Sequence, residues 1–281
     1  MSSPTPPQAM TEPATAIGDR DVVRYHVVAA ATEGRIIQSE WIKFWSVRSM
    51  MISFAAAASV GVALGAAFAA SGTRPKAGAR TDSASLSLAG FNISQLIIGI
   101  LGVLFVSNEY STGLIRTTLV AVRSRWWVLR AKVVVFGGAT MAATAVAAFA
   151  AFFIGRSLYS GPLAPASLGD PGVVRALLGT ATYVTGVGLL GLALGFLLRS
   201  TAAALGVLFG TFLVIPGLAS LVSRSWSDSF AKVLPSNAGA ALASPSPAKD
   251  LLSPGAAAVV FAAWVVGMLV LAGVALNHRD G

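Results

Sequence analysis

Few residues in this sequence could do chemistry, and none of the combinations that enzymes use is complete. The chain has 11 acidic residues, 2 histidines and no cysteine. The histidines, His26 and His278, lie outside every long apolar segment. Those segments therefore hold no cluster of His, Cys and carboxylate ligands for a metal, and no serine there has a histidine beside it as a base. We predict no catalytic residue, no metal site and no cofactor.

Nucleotides and nucleic acids are not predicted ligands of this chain either. The Walker A pattern G-x-x-x-x-G-K-[ST], which cradles the phosphates of ATP, is absent from the sequence. The formal net charge is +9, but the Lys and Arg residues lie beside the apolar segments, where they set membrane orientation and meet anionic headgroups. An ATP-driven activity would therefore need a separate ATPase.

The composition indicates a protein of the lipid bilayer. Hydrophobic residues make up 55% of the chain and charged residues 11%, against about 25% charged in soluble proteins. A helix needs about 20 apolar residues to cross a bilayer. Six segments meet this requirement, namely Met50 to Ala70, Gly90 to Val106, Val133 to Ile154, Leu177 to Leu198, Ala202 to Val222 and Ala256 to Leu276. The predicted fold is all-α, a polytopic membrane protein with six transmembrane helices.

The distribution of positive charge predicts the orientation. With the N-terminus inside, the cytoplasmic segments hold 12 Lys and Arg residues and the outer segments hold 8. Cytoplasmic loops of membrane proteins carry the excess of positive charge. Both termini are therefore predicted to be cytoplasmic.

Every acidic residue lies outside the six predicted spans, and Glu109 comes three residues after the second. Ion-coupled carriers usually bind their coupling ion with ionisable groups inside the membrane. Their absence weakens an ion-coupled secondary transporter as an interpretation. It remains an alternative, together with a non-transporting membrane assembly protein.

Two regions precede the first span. Residues 1–31 include a stretch rich in Pro, Thr and Ser and are predicted to be a disordered cytoplasmic tail, followed by the membrane domain at 32–281. Glu33 to Arg48 has the pattern of an amphipathic interfacial helix, with Ile37, Trp41, Phe44 and Trp45 on one side and Arg35, Ser39, Lys43 and Ser46 on the other. The alternative is that these residues form the first turns of a long, tilted transmembrane helix.

The loop between the second and third spans, Ser107 to Lys132, carries a second amphipathic pattern. Thr112 is suited to an N-cap, and Leu114, Ile115, Leu119 and Val122 follow at helical spacing. An apolar face in a cytoplasmic loop needs cover, either from a membrane surface or from a partner protein. The pattern alone leaves both open.

Three further features are structural predictions. In the loop Ser223 to Pro254, one helical face holds Trp226, Phe230, Val233 and Leu234, and Asp228 and Lys232 form an i,i+4 pair on another. We therefore predict a short outer helix that Pro235 ends. An ordinary loop is the alternative. Arg199, Ser200 and Thr201 are the whole connection between the fourth and fifth spans, which predicts a tight helical hairpin. The pairs Gly61/Gly65, Gly191/Gly195 and Gly206/Gly210 predict close helix packing, within the chain or across a dimer.

Four stretches in order resemble the permeases of bacterial type-2 ABC exporters. They are Asn108 to Leu119 (NEYSTGLIRTTL), Gly195 to Thr201 (GFLLRST), Leu234 to Gly239 (LPSNAG) and the ending Arg279-Asp280. The resemblance covers the chain from about Thr32 to the end, and the first motif is the specific one. It implies an N-terminal interface helix, six spans, a coupling helix after the second span and short outer helices before the sixth.

The resemblance also implies a function, partners and a site. The chain would be the permease subunit of an exporter in the bacterial cytoplasmic membrane, paired with a second permease subunit, identical or different, and energised by a separate ABC ATPase subunit. The residues placed at the ATPase by the matching motif are Glu109, Gly113, Leu114, Ile115, Arg116 and Leu119. Glu109 would be available to pair with Arg116. Where the family commonly has Pro then Arg, this chain has Arg123 and Ser124, so the end of the coupling helix is left open.

The predicted topology can be tested by single-cysteine labelling, because the natural chain has no cysteine. We expect Ser124→Cys and His278→Cys to resist a membrane-impermeant thiol reagent in intact cells, and Ser246→Cys to react. Labelling after permeabilisation is the control for accessibility. Reaction of Ser124→Cys from outside would invert or break the predicted topology.

Overall fold

The described residues of the computed structural model, 33–71, 83–111, 125–161, 164–219, 231–247 and 251–279, form helices and no strand. The helices are α1 (Glu33–Ser46), α2 (Arg48–Ser71), α3 (Ser83–Ala89), α4 (Phe91–Ser111), α5 (Arg125–Leu158), α6 (Val173–Leu198), α7 (Thr201–Phe209), α8 (Ile215–Ala219), α9 (Pro235–Ala243) and α10 (Pro254–Arg279). A π-helical turn, Gly210–Val214, joins α7 to α8.

Six helical stretches in the described part of the chain are long and apolar enough to span a membrane. They are Arg48–Ser71, Ser83–Tyr110, Trp126–Leu158, Val173–Leu198, Thr201–Leu218 and Pro254–His278. The prediction of an all-α polytopic membrane protein is confirmed. The helices run past the predicted spans at several ends, and this difference matters for the charged residues described below.

α6 is the centre of the bundle. In its most apolar stretch 78% of the residues are buried inside the protein, against 17 to 56% in the other five spans. α4, α5, α9 and α10 pack around it, and α2 lies outside α4 and α5. The spans with low internal burial present apolar side chains such as Val146, Val259 and Val266 outward, as expected of surfaces that face lipid.

Glycines set the distance between α4 and α6. A Cβ atom on Gly102 would collide with the carbonyl oxygen of Gly188, and one on Gly191 would collide with the carbonyl oxygen of Gly99. The two backbones are therefore in direct contact, which lets helices in a membrane gain van der Waals packing without a hydrophobic driving force.

Two of the three predicted glycine pairs make close helix contacts. Gly61 and Gly65 on α2 pack against the α3–α4 region, where Ser94 Oγ also donates to the carbonyl oxygen of Ala57 at 2.6 Å. The pair Gly191/Gly195 packs against α4. A Cβ on Gly206 or Gly210 would meet no atom within 4 Å. Close packing within the chain is thus confirmed for the first two pairs and not for the third.

The hairpin between α6 and α7 uses a left-handed residue. Arg199 has φ 51° and donates its N–H to the carbonyl oxygen of Gly195 at 3.1 Å, so it closes the C-terminus of α6. Ser200 caps the next helix, because its Oγ accepts the N–H of Ala203 at 3.4 Å. The predicted tight hairpin is confirmed, with Arg199 and Ser200 as its connection, because Thr201 is already the first residue of α7.

Pro235 separates two helical segments. Residues 231–233 are helical, Leu234 is extended with φ −60° and ψ 139°, and Pro235 begins α9. Proline forces the preceding residue out of helical geometry and suits the first position of a helix. The predicted helix end is confirmed, but α9 itself did not appear in the periodicity. The predicted anchors Trp226, Asp228 and Phe230 lie outside the described residues.

We expect Gly102→Ala to lower the free energy of unfolding by about 1 to 3 kcal/mol, because the added methyl group forces α4 away from α6. Gly138→Ala on α5 is the matched control, since its Cβ would meet nothing within 4 Å. There the change should stabilise the helix by about 0.5 to 1 kcal/mol. Thermal denaturation of both purified variants in one detergent measures the difference, and equal melting temperatures would contradict the packing assignment.

Candidate functional site

The short helix α1 packs on the end of the bundle where α4 ends and α5 begins, here called the Lys132 end. It buries Ile36, Glu40 and Phe44, which recur every four residues on one face. Trp41 and Trp45 were predicted to share an apolar side with Ile37 and Phe44 at the level of the lipid headgroups. They are 45% and 53% exposed, whereas Phe44 is buried against the bundle, so the predicted side divides between the protein and its surroundings. Helix α1 ends at Ser46 and α2 begins at Arg48, so α1 is a helix separate from the first span.

Four charged side chains from three helices meet beneath α1. Lys132 Nζ on α5 lies 2.7 Å from Glu40 Oε2 on α1 and 2.7 Å from Glu109 Oε1 on α4. Lys43 Nζ lies 2.8 Å from Glu40 Oε1 and 3.9 Å from Glu109 Oε1. Two carboxylates and two ammonium groups therefore balance in one cluster, which we call the Lys132 cluster.

Burial makes the Lys132 cluster different from an ordinary surface ion pair. The side chains of Lys132 and Glu40 are 0% and 1% exposed, and Glu109 is 14% exposed. Only Lys43, at 49%, reaches far out of the protein. Taking such charges out of water costs several kcal/mol for each ion, so removing one partner leaves an uncompensated buried charge.

The charges of the cluster shift the pKa values of Glu40 and Lys43, the two groups on α1. Burial by itself raises the pKa of the Glu40 carboxyl, but the charge and hydrogen bond of Lys132, and then those of Lys43, outweigh it, and the pKa lies below its usual 4.5. Burial lowers the pKa of Lys43, while the hydrogen bond and charge of Glu40 outweigh that effect and raise the pKa above its usual 10.5. Both groups are therefore charged at neutral pH.

Four phenylalanines lie next to the cluster and connect the same helices with α2. Phe44 packs on Phe54 and Phe105 with ring centroids 5.4 and 5.8 Å apart. Phe136 packs on Phe54 and Phe105 at 5.7 and 5.6 Å. The Nζ atom of Lys132 lies 4.6 Å from the centroid of Phe105, so the ring face adds a cation–π contact to the two ion pairs.

A second contact at the Lys132 end joins α4 to α6. The Tyr110 ring packs edge-on against Phe196, and the guanidinium carbon of Arg199 lies 5.4 Å from the Tyr110 ring centroid. The last turn of α4 is therefore held on one side by Lys132 through Glu109, and on the other side by the end of α6 through Tyr110.

Of the six predicted coupling residues, the structure describes one. Glu109 lies in the last turn of α4 and pairs with Lys132, whereas its predicted partner Arg116 lies outside the described residues. Gly113, Leu114, Ile115 and Leu119 also lie outside them. The second oxygen of Glu109, Oε2, is buried and has no hydrogen-bond partner among the described residues.

Sequence analysis missed the roles of Lys132 and Glu40. Lys132 precedes the predicted third span by one residue and was counted as a loop cation, but the helix begins at Arg125 and buries it. A signal for Glu40 existed, because it falls between Ile36 and Phe44 on an i,i+4 stripe that is otherwise apolar. A lone carboxylate on a buried stripe predicts a buried cation opposite it.

We expect Lys132→Met to lower the free energy of unfolding by about 3 to 5 kcal/mol, because it removes the buried cation shared by the Glu40 and Glu109 carboxylates. Adding Glu40→Gln to Lys132→Met should recover a large part of this loss, since it removes one of the two stranded charges. Lys43→Met is the matched control and should cost less than about 1 kcal/mol, because Lys43 is half exposed. Denaturation of the wild type, the two single variants Lys132→Met and Glu40→Gln, and their double variant in one detergent gives the coupling energy. Additive losses from the Lys132 and Glu40 substitutions would contradict a shared buried cluster.

No family model matches the sequence. No curated protein matches it either. The resemblance carried by Asn108 to Leu119 therefore stays a prediction.

Proposed function

We propose that this chain is the membrane-spanning permease subunit of an ATP-binding cassette exporter, driven by a separate ATPase subunit. The observation that carries the proposal is the place of Glu109. It lies in the last turn of α4, directly before the segment that resembles a coupling helix, and its carboxylate is fixed to Lys132 on α5. Movement of that segment would be transmitted to the bundle through this residue.

The Lys132 cluster is suited to such transmission because its members resist separation. Glu40 connects the same ammonium group to α1, so the end of α4, the start of α5 and the whole of α1 share one buried ion. Breaking a buried pair costs about 3 to 5 kcal/mol. A displacement imposed by an ATPase would therefore move the three helices together more easily than it would pull them apart.

Other features agree with the proposal. The six candidate spans, the separate helix α1 and the short helix α9 before the last span match the elements that the resemblance implies. The proposal places the chain in the bacterial cytoplasmic membrane with both termini inside, beside a second permease subunit and the ABC ATPase. The lipid bilayer covers the outward apolar faces, and nucleic acid has no part.

A proton- or sodium-coupled carrier is the competing interpretation, and the Lys132 cluster bears on it. Its two carboxylates share one buried lysine, so each is already compensated by charge. A proton-coupled carrier would need an ionisable group that binds and releases the proton during transport, for which a compensated carboxylate is poorly suited. Uptake or efflux in vesicles driven by a proton gradient without ATP would favour the carrier, and no flux with any energy source would leave the non-transporting assembly protein.

The proposal predicts that Ile115→Asp with Leu119→Asp abolishes ATPase association and ATP-driven transport, because two charges are placed on an apolar docking face. Insertion and expression should stay normal. The matched control carries Ser157→Asp and Ser246→Asp, two exposed positions away from the Lys132 end, and should retain the ATPase. Affinity purification in mild detergent measures the ATPase yield.

Glu109→Ala is expected to separate energy coupling from ATPase docking when copurification and ATP-driven transport are both measured. It leaves the predicted docking face intact, so the ATPase should still copurify, while transport falls because the link to Lys132 is lost. The purified chain alone should hydrolyse no ATP. Wild-type ATPase yield with the double Asp variant would show that the segment lies on the membrane, and hydrolysis by the isolated chain would overturn the proposal outright.

A further inference from the structure

A polar pocket lies at the opposite end of the bundle, here called the Asn92 end, where α4 and α6 begin. Its volume is about 170 Å³, and it lies between α3, α4, α6 and α9. The described residues that line it with polar groups are Ser85, Asn92, Thr180, Tyr183 and Ser244. Asn92 is exposed at its rim, while Thr180 and Tyr183 are buried. The pocket is separate from the Lys132 cluster and has no part in the proposed coupling.

The wall formed by Tyr183 is rigid. Its ring packs on Phe261 and Phe212 with centroids 5.3 and 6.5 Å apart. A Cβ on Gly239 of α9 would collide with the same ring, so only glycine leaves room for it there. The phenol is therefore held in place before any ligand arrives, which is typical of binding pockets.

The hydrogen-bonding capacity of this region is incompletely used. Thr180 donates its hydroxyl to the carbonyl oxygen of Ala176 at 2.8 Å and keeps its lone pairs for another donor. The Tyr183 hydroxyl lies within hydrogen-bonding reach of the Gln95 side chain, which is not one of the lining residues. A hydroxyl group that already makes one hydrogen bond can still exchange another with a ligand.

The chemistry of the lining selects a neutral ligand. None of the described lining residues is Asp, Glu, Lys or Arg. Arg175, which is not a lining residue, donates to the carbonyl oxygens of Ser244 and Pro245 at 3.0 and 2.9 Å. Hydroxyl and amide groups donate and accept alike, as ligand hydroxyls do, whereas an ionised ligand would lose its hydration without gaining a counter-charge.

The size and the two rings of the pocket point to a cyclic group. A cavity of about 150 Å³ holds a benzene ring, so this one has room for one six-membered ring. Phe91 and Tyr183 both line it and supply apolar surface for such a ring. We propose that the pocket at the Asn92 end binds an uncharged, hydroxyl-bearing ring, such as the sugar ring of a neutral glycolipid-like amphiphile.

Three probes with one tail test the headgroup class. Octyl β-glucoside, octyl sulfate and octyltrimethylammonium, each below its micelle concentration, are titrated calorimetrically into the full chain in phospholipid nanodiscs. Empty nanodiscs give the partition of the tail into lipid. We expect saturable binding of about one glucoside for each chain above that partition, and partition alone for the two charged probes.

Matched substitutions assign the binding to the pocket. Tyr183→Phe and Thr180→Val each remove one hydroxyl and keep the shape, so each should weaken glucoside binding by about 2- to 12-fold, the worth of one hydrogen bond. Thr182→Val is the control: Thr182 lies two residues away on the same helix, makes the same bond to the carbonyl oxygen four residues back, and is exposed outside the pocket. It should leave binding unchanged.

A variant that fills the pocket distinguishes loss of binding from loss of folding. Ala240→Phe adds bulk from an exposed position of α9 that lines the pocket, and it should abolish binding at an unchanged melting temperature. Equal effects of Thr180→Val and Thr182→Val, or equal binding of all three probes, would overturn the site. Preference for octyl sulfate that disappears with Arg175→Gln would overturn the neutral class. Because the assay uses no ATPase and no transport, its outcome is independent of the proposed function.

Discussion

The ammonium group of Lys132 has no exposure to solvent, and the arrangement of one whole end of the molecule follows from the need to neutralise it. One carboxylate comes from α1 and the other from the last turn of α4, each 2.7 Å from Nζ. In a medium of low dielectric this group is tolerable only with both partners in place. The position of α1, which is outside the six candidate spans, is thus fixed by charge as well as by Phe44.

The two ends of the bundle accommodate polar groups among apolar helices in different ways. At the Lys132 end, full charges neutralise each other and are closed off by phenylalanine rings, so the polar groups serve structure and the transmission of movement. At the Asn92 end, neutral hydroxyl and amide groups line a pocket of about 170 Å³. Between the ends, close contact of α4 with α6 through glycine makes one rigid connection.

Much of the fold was predictable because it depends on local sequence. Runs of apolar residues of membrane-spanning length predicted the six spans, Arg199 to Thr201 predicted the hairpin, and Pro235 predicted a helix boundary. The candidate site was less predictable. Glu109 was singled out by a motif. Its partner Lys132 was counted in a loop, because the helix begins at Arg125, eight residues before the predicted span at Val133, and the hydrophobic pattern gave no reason to extend the span.

The sequence by itself determined where helices form, since length, apolar content, glycine and proline act through the backbone within a few residues. Only the tertiary structure decided which face of α1 is buried, that Glu40 and Glu109 share one lysine, and that Asn92, Thr180 and Tyr183 line a common pocket. These arrangements join residues that are distant in the chain, 92 positions from Lys132 to Glu40 and 23 from Lys132 to Glu109. Periodicity cannot set such distances, because they follow from how whole helices pack.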